Sequence, residues 1–168
     1  MNTTSTQKRK QMINHIETFD TAMLTTMSPT RGFRSRPMHI ADVEDDATLW
    51  FVTSTKKDKL PEILADPRVN VSMQSSGRYI SVTGRCDAVT DPAIVQSKWT
   101  DTWNSWFPNG PETADVVLLR VRTDVGEFWD YSAGDRLRFV YEAGKALLNN
   151  DRIDAENIGT HETVALYQ

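Results

Sequence analysis

An antiparallel β-barrel or sandwich is the fold class this sequence predicts, on three observations. Short apolar stretches of strand character recur at close spacing (21–27, 33–41, 48–54, 69–74, 79–87, 116–123 and 125–130), while helical spacing is confined to two or three segments. That pattern favours antiparallel pairing over alternating strand–helix–strand units. Turn-forming runs separate the stretches: Ser28-Pro29-Thr30-Arg31-Gly32, Glu44-Asp45-Asp46 and Ser75-Ser76-Gly77. Finally, 168 residues, 39% of them hydrophobic, are enough for one buried core, so residues 1–168 read as a single domain.

The elements follow in order. Residues 7–19 carry Met12, Ile13, Ile16 and Phe19 at helical spacing, one buried stripe. Residues 21–27 form a short Thr-rich strand, and 33–41 with 48–54 form two strands around the acidic turn. Residues 59–65 read as a short helix, with Pro61 tolerable in its first turn and Asp66-Pro67 ending it. In 79–87, Ile80, Val82 and Gly84 alternate with Ser81, Thr83 and Arg85, as in a half-buried strand. Asp91-Pro92 is a helix start, a capping side chain followed by proline. That helix is expected to run to about Trp106, with Trp99, Trp103 and Trp106 on one face packed against the barrel. The core spans about residues 13–130, and 131–168 read as a helical and extended appendage. Within it, 137–148 are helical, and 162–167 add a strand or pair with another chain.

In the first hairpin, alternation puts Met38, Ile40, Trp50 and Val52 on one side and Pro37, Leu49 and Phe51 on the other. A small barrel has one interior, so a second apolar face calls for a partner surface, most simply a second copy in a homodimer. Composition excludes much else. The single cysteine, Cys86, cannot form an internal disulfide and reads as a buried, inert thiol. No apolar run approaches the roughly 20 residues of a membrane helix, and residues 1–10 are polar and basic, unlike a secretory signal. A net charge of −4 argues against a nucleic-acid binder. A soluble cytoplasmic domain, with no membrane and no nucleic-acid partner, is the expectation. His15, His39 and His161 lack metal-ligand spacing, and neither a nucleophile elbow nor a Gly-rich phosphate loop is present.

Charge placement is more informative. With the first hairpin turning near Asp45, Arg36 is expected to face Ser54, and Arg34 to face Lys56, with Arg31, Lys57 and Lys59 close by. An otherwise acidic chain thus gathers its positive charge at one end of a ribbon, where like charges across a ladder repel. A bound anion would offset that repulsion. Lys59 opens the short helix, whose N–H groups favour phosphate, and Thr53, Ser54 and Thr55 add hydroxyl donors. Solvated strand ends are the other reading of the same charges.

Several of these segments together resemble the flavin-binding split β-barrel proteins related to pyridoxamine 5′-phosphate oxidase, and most closely their general stress protein branch. The likeness is carried by Ser35-Arg36-Pro37-Met38, by Leu49-Trp50-Phe51-Val52-Thr53-Ser54 followed by Lys59, and by residues 63–69 (ILADPRV). It continues through 79–84 (YISVTG), Trp99 and Trp103, Trp106-Phe107-Pro108-Asn109-Gly110 and Glu127-Phe128-Trp129-Asp130. The resemblance implies a split barrel with flanking helices, a homodimer, and flavin mononucleotide (FMN) at its interface. By that likeness Arg36 and Lys59 hold the flavin phosphate, with Lys57 beside them. Pro37, Met38, Val52, Thr53 and Ser54 line the cofactor, and Trp129 covers an edge of it.

The resemblance to the oxidase itself is incomplete. Ala41 stands where the oxidase has a basic residue, and Asp58 where it has arginine. Arg136-Leu137-Arg138-Phe139 lacks the oxidase's histidine, which argues against vitamin B6 oxidation. The expectation is an FMN-dependent oxidoreductase of the stress branch with no identified acid or base, taking an unknown small-molecule substrate and NAD(P)H as a candidate reductant. A non-catalytic flavin-storing stress protein, or a barrel binding deazaflavin or haem, are the alternatives. His161 is expected to lie away from the cofactor.

Overall fold

The computed structural model describes residues 4–56, 59–112, 115–131, 143 and 159–166. Its strands are β1 (Thr21–Ser28), β2 (Gly32–Val43), β3 (Leu49–Ser54), β4 (Arg68–Ser75), β5 (Arg78–Val89), β6 (Val116–Asp130) and β7 (Thr160–Ala165). They form one antiparallel sheet in the order β3-β2-β1-β4-β5-β6-β7, and β3 also pairs with β6. Six strands therefore close into a barrel. The long strand β6 divides its second edge, giving residues 116–121 to β3 and 125–130 to β7. The strand expected at 162–167 pairs within its own chain. Helices α1 (Ser5–Ile16), α2 (Lys59–Ala65) and α3 (Pro92–Lys98) flank the barrel. No helix among the described residues is long and apolar enough to cross a membrane.

Periodicity accounts for the elements. In β1 the inward row is Ala22, Leu24, Thr26 and Ser28, and in β5 it includes Ile80, Val82, Gly84 and Cys86. Helix α1 begins at a reciprocal capping box between Thr4 and Gln7 and inserts Met12, Ile13 and Ile16 into the barrel core with Leu24, Phe51, Val71 and Phe128. Full burial of each such side chain contributes about 1.5–3 kcal/mol.

Three expectations need correction. First, β6 is one strand; the interruption expected near Asp124 is a bulge. Thr83 pairs with Val125 and Gly84 with Thr123, so Asp124 has no partner on β5. Second, the helix after Asp91 ends at Lys98. Asp91 caps it through Ala93 N at 2.8 Å, but Trp99 is already extended and a 3-10 turn follows over Asp101–Ser105. Threonine hydroxyls that bond locally disfavour continuing the helix, as Thr100 and Thr102 do at 2.7 Å. Trp99, Trp103 and Phe107 still pack outside the barrel, on Trp50 and Leu118, whereas Trp106 is exposed. Third, a register shift between Ile40 and Asp42 brings Ile40 opposite Phe51. Met38 and Ile40 consequently join Leu49 and Phe51 inside, and Trp50 and Val52 face α3. The helix expected at 137–148 lies, but for Ala143, outside the described residues.

The bulge depends on Gly84. A Cβ there would stand 2.2 Å from the Arg122 carbonyl oxygen, a backbone atom that cannot swing away. We expect Gly84→Ala to destabilise the fold by about 2 kcal/mol or more, in the range of core overpacking. Gly32→Ala, at φ +69 with nothing within 4 Å, should cost only about 1–2 kcal/mol of backbone strain. Denaturant midpoints of the two variants check the order, and an equal loss would refute it.

Candidate functional site

The basic corner forms on the other edge of β2. Residues 40–43 of that strand pair with β3, whereas 32–39 pair with β1, so Arg36 stands opposite Leu24 and Arg34 opposite Thr26, not opposite Ser54 and Lys56. Arg34, Arg36 and Met38 are alternate residues on the row of β2 that faces α2. Lys59 and Glu62, three residues apart, share one face of that helix and are both buried. The two rows interlock. Lys59 Nζ lies 3.2 Å from Met38 Sδ. Arg36 Nη2 donates to Glu62 Oε2 at 2.6 Å and to Thr26 Oγ1 at 2.9 Å, and Arg34 Nη1 donates to Glu62 Oε1 at 2.7 Å. Thr26 Oγ1 completes the group by donating to Glu62 Oε2 at 2.6 Å.

Glu62 was not foreseen, although the sequence carried a signal for it. Arg34 and Arg36 share an alternate-residue row with the apolar Met38, and charges on a row bound for the interior require a counter-charge. Burial favours the neutral carboxyl of Glu62, but hydrogen bonds from Thr26, Arg36 and Arg34 and the Arg36 charge outweigh it, holding its pKa at about 2 instead of 4.5. One donor in the cluster is unused: Arg36 Nη1 is buried and donates to nothing among the described residues.

The other expected site residues are dispersed. Thr53 is buried in the inward row of β3, whereas Val52 and Ser54 face outward. Ser54 Oγ accepts from Lys56 N at 3.3 Å, and the Lys56 ammonium pairs with Asp115. Pro37 is exposed on the outer face opposite Met23, and Lys57 lies outside the described residues. Trp129 sits on the outer side of β6 between Tyr79 and His161, its ring stacked on the His161 imidazole at 4.8 Å and 2°. The C-terminal strand thus reaches Trp129. His39 packs against Trp106 with ring centres 5.7 Å apart. Burial first, then Asp87, pushes the Cys86 thiol up to about 12, as suits an inert side chain.

The Glu62 cluster makes stability depend on pH. Its folded pKa is depressed, so its contribution is complete above about pH 4.5 and is lost as pH falls toward 2. Glu62→Gln should lower the urea midpoint at pH 7, because two half-buried cations lose their counter-charge. It should also flatten the decline between pH 4.5 and 2 relative to the parent. Parallel acid limbs in the two proteins would contradict this assignment.

This architecture has known counterparts. The family described as pyridoxamine 5′-phosphate oxidase like matches residues 7–154. Protein bli-3 of Neurospora crassa is 30% identical over 128 residues, covering 67% of this chain; the chain spans 61% of that relative's length. A candidate general stress protein 26 from Jannaschia sp. CCS1 superposes with a TM-score of 0.67 at 26% identity, covering 93% of this chain and 96% of that one. A general stress FMN/FAD binding protein from Xanthomonas citri shares the fold at a TM-score of 0.65 and 24% identity, over 74% of this chain and 89% of that one. With a six-strand split barrel and a family match across most of its length, the chain belongs to the pyridoxamine 5′-phosphate oxidase-like family.

Proposed function

We propose that two copies of this chain bind FMN between them, and that the protein is an FMN-dependent oxidoreductase of the stress-protein branch, distinct from pyridoxamine 5′-phosphate oxidase itself. The observation that carries this reading is the buried Nη1 of Arg36, a donor without an acceptor in the cluster that also contains Lys59. A buried guanidinium nitrogen with no acceptor is costly, and a phosphate oxygen would satisfy it by a charge-assisted bond. Glu62 and Thr26 hold the neighbouring Nη2 in place, so the donor is oriented before any ligand arrives. The Xanthomonas relative's name, an FMN/FAD binding protein, points the same way.

Self-association is supported by the outer surface of β1 and β2. Met23 stands opposite Pro37 and Met27 opposite Phe33, so a largely apolar strip, interrupted by the hydrogen-bonded Thr25–Ser35 pair, runs along both strands. Phe33 is 78% exposed and Met23 39%, large side chains for open water. A second copy covering this strip would bury it.

Bound FMN would supply the two-electron chemistry, and the protein supplies position and electrostatics. Arg36 and Lys59 are the residues for its phosphate, and Met38 and Thr53 lie on neighbouring inward rows for the chain behind it. Trp129, backed by His161, offers a flat aromatic surface suited to stacking. No described side chain near the corner is arranged as a general acid or base. NAD(P)H is the candidate reductant.

Flavin fluorescence titrations test the reading. FMN should bind at least tenfold more tightly than riboflavin, because only FMN carries the phosphate. Lys59→Met should reduce that preference by about tenfold while leaving riboflavin affinity unchanged, as for loss of a charge-assisted contact. Absence of FMN binding, or an unchanged preference in the variant, would overturn the proposal. Bleaching of bound flavin by NADPH is the expected sign of turnover; its absence with every reductant tried would mark a flavin-storing protein instead.

A further inference from the structure

A second concentration of positive charge lies away from the Arg36–Lys59 corner. Arg68, Arg85 and Arg122 stand directly opposite one another across β4, β5 and β6. Three like charges in one cross-strand row repel, and rows of this kind are disfavoured in sheets. The outer two are neutralised locally: Arg68 pairs with Asp66 at 2.6 Å and Arg122 with Asp87 at 2.9 Å. The middle one, Arg85, donates to no carboxylate among the described residues.

Arg85, Arg122 and Arg9 of α1 line one cavity of about 430 Å³. The Arg9 Nε is buried and donates to nothing among the described residues. This cavity is within the usual size range of small-molecule sites. Its rim is built in two unusual ways. The bulge in β6 turns Asp124 out of the β5 ladder, and the Asp124 carbonyl is pinned by Leu166 N at 2.9 Å. Across from it, the β2–β3 turn holds buried Ala47 at φ +68, a conformation that costs a non-glycine residue about 1–2 kcal/mol. Thr123 Oγ1 fixes that turn by donating to the Ala47 carbonyl at 3.1 Å.

We propose that this cavity is a second binding site, for the phosphate group of a small molecule, with Arg9, Arg85 and Arg122 as its donors. Guanidinium groups meet phosphate oxygens in pairs of parallel hydrogen bonds, and three of them converge here on one space. Arg122 already has Asp87, but Arg85 and the Arg9 Nε have no acceptor among the described residues, and an oxyanion would supply one. Asp46 and Asp124, also on the wall, are acceptors for hydroxyl groups and would repel a bare dianion placed against them. They therefore set where in the cavity the phosphate lies, on the arginine side, and leave room for a hydroxylated remainder. The site shares no arginine or lysine with the Arg36–Lys59 corner, and the inference does not depend on flavin binding there.

The test is amide-shift mapping by NMR on the full-length protein, with inorganic phosphate, ribose 5-phosphate and sodium chloride as separate titrants. Phosphate-bearing titrants should saturate shifts around 46–48, 85 and 122–124, and matched ionic strength of chloride should not. Tighter binding of ribose 5-phosphate than of inorganic phosphate identifies a phosphorylated metabolite as the ligand; equal binding identifies free phosphate. Arg85 is exposed, so Arg85→Gln should fold, and it should weaken the interaction about tenfold; Arg9→Gln should do likewise. FMN affinity should stay at its parental value in both variants. Shifts confined to the Arg36–Lys59 corner, equal responses to chloride, or undiminished binding in both variants would overturn the proposal.

Discussion

The Glu62 carboxylate is the constraint on which the architecture of the basic corner rests. It joins three elements that chain connectivity alone leaves independent, accepting from Thr26 on β1, from Arg34 and Arg36 on β2, and lying itself on α2. A seven-residue helix cannot stand by itself in water, so α2 owes its position to what it buries: Ile63 among core side chains and Glu62 between the arginines. Ion pairs of this kind add little net stability compared with an apolar equivalent, but losing one partner is costly. What the cluster provides is geometry. It fixes the Nη2 of Arg36 and leaves the buried Nη1 without an acceptor among the described residues.

Much of this was legible in the sequence, and the limits have physical causes. The segments of β1 to β5 were visible, because alternation of apolar and polar residues is a local property, whereas β6 was read as two strands and 162–167 as either a strand or a contact with another chain. The helix start at Asp91-Pro92 was equally plain, since a capping side chain and a proline act on adjacent backbone groups. The register shift between Ile40 and Asp42 was hidden. A bulge changes pairing by one residue without changing the pattern on either side, and a slip of one exchanges inside for outside. For that reason Met38 was rightly grouped with Ile40 but placed on the wrong side relative to Phe51; Arg34 and Arg36 were set against β3 because the pattern does not show that β2 pairs with β3 only over residues 40–43 and with β1 over 32–39. Arg36, Met38 and Lys59 nevertheless come together, by a route different from the expected one. Glu62 escaped because a glutamate on a short helix ordinarily faces water, and only the closed barrel turns it inward.

The bulge in β6 has a comparable effect on the far side of the molecule. Because β6 passes from β3 to β7 near Asp124, its two halves serve different neighbours: the first closes the barrel, and the second carries Trp129 outward against Tyr79 and His161. Trp129 and the Arg36–Lys59 corner are therefore held by different parts of the sheet. Residues 125–130 of β6 have no pairing with β3, the strand adjacent to β2. If both groups contact one flavin, a second subunit is the natural means of bringing a Trp129 ring to an Arg36 corner, and the apolar strip of Met23, Met27, Phe33 and Pro37 is where such a subunit would rest. Two separate observations favour a second copy: an aromatic surface on the half of β6 that has no pairing with β3, and exposed apolar side chains on β1 and β2. A monomer that binds FMN with Trp129 uninvolved would remove the first while leaving the second unexplained.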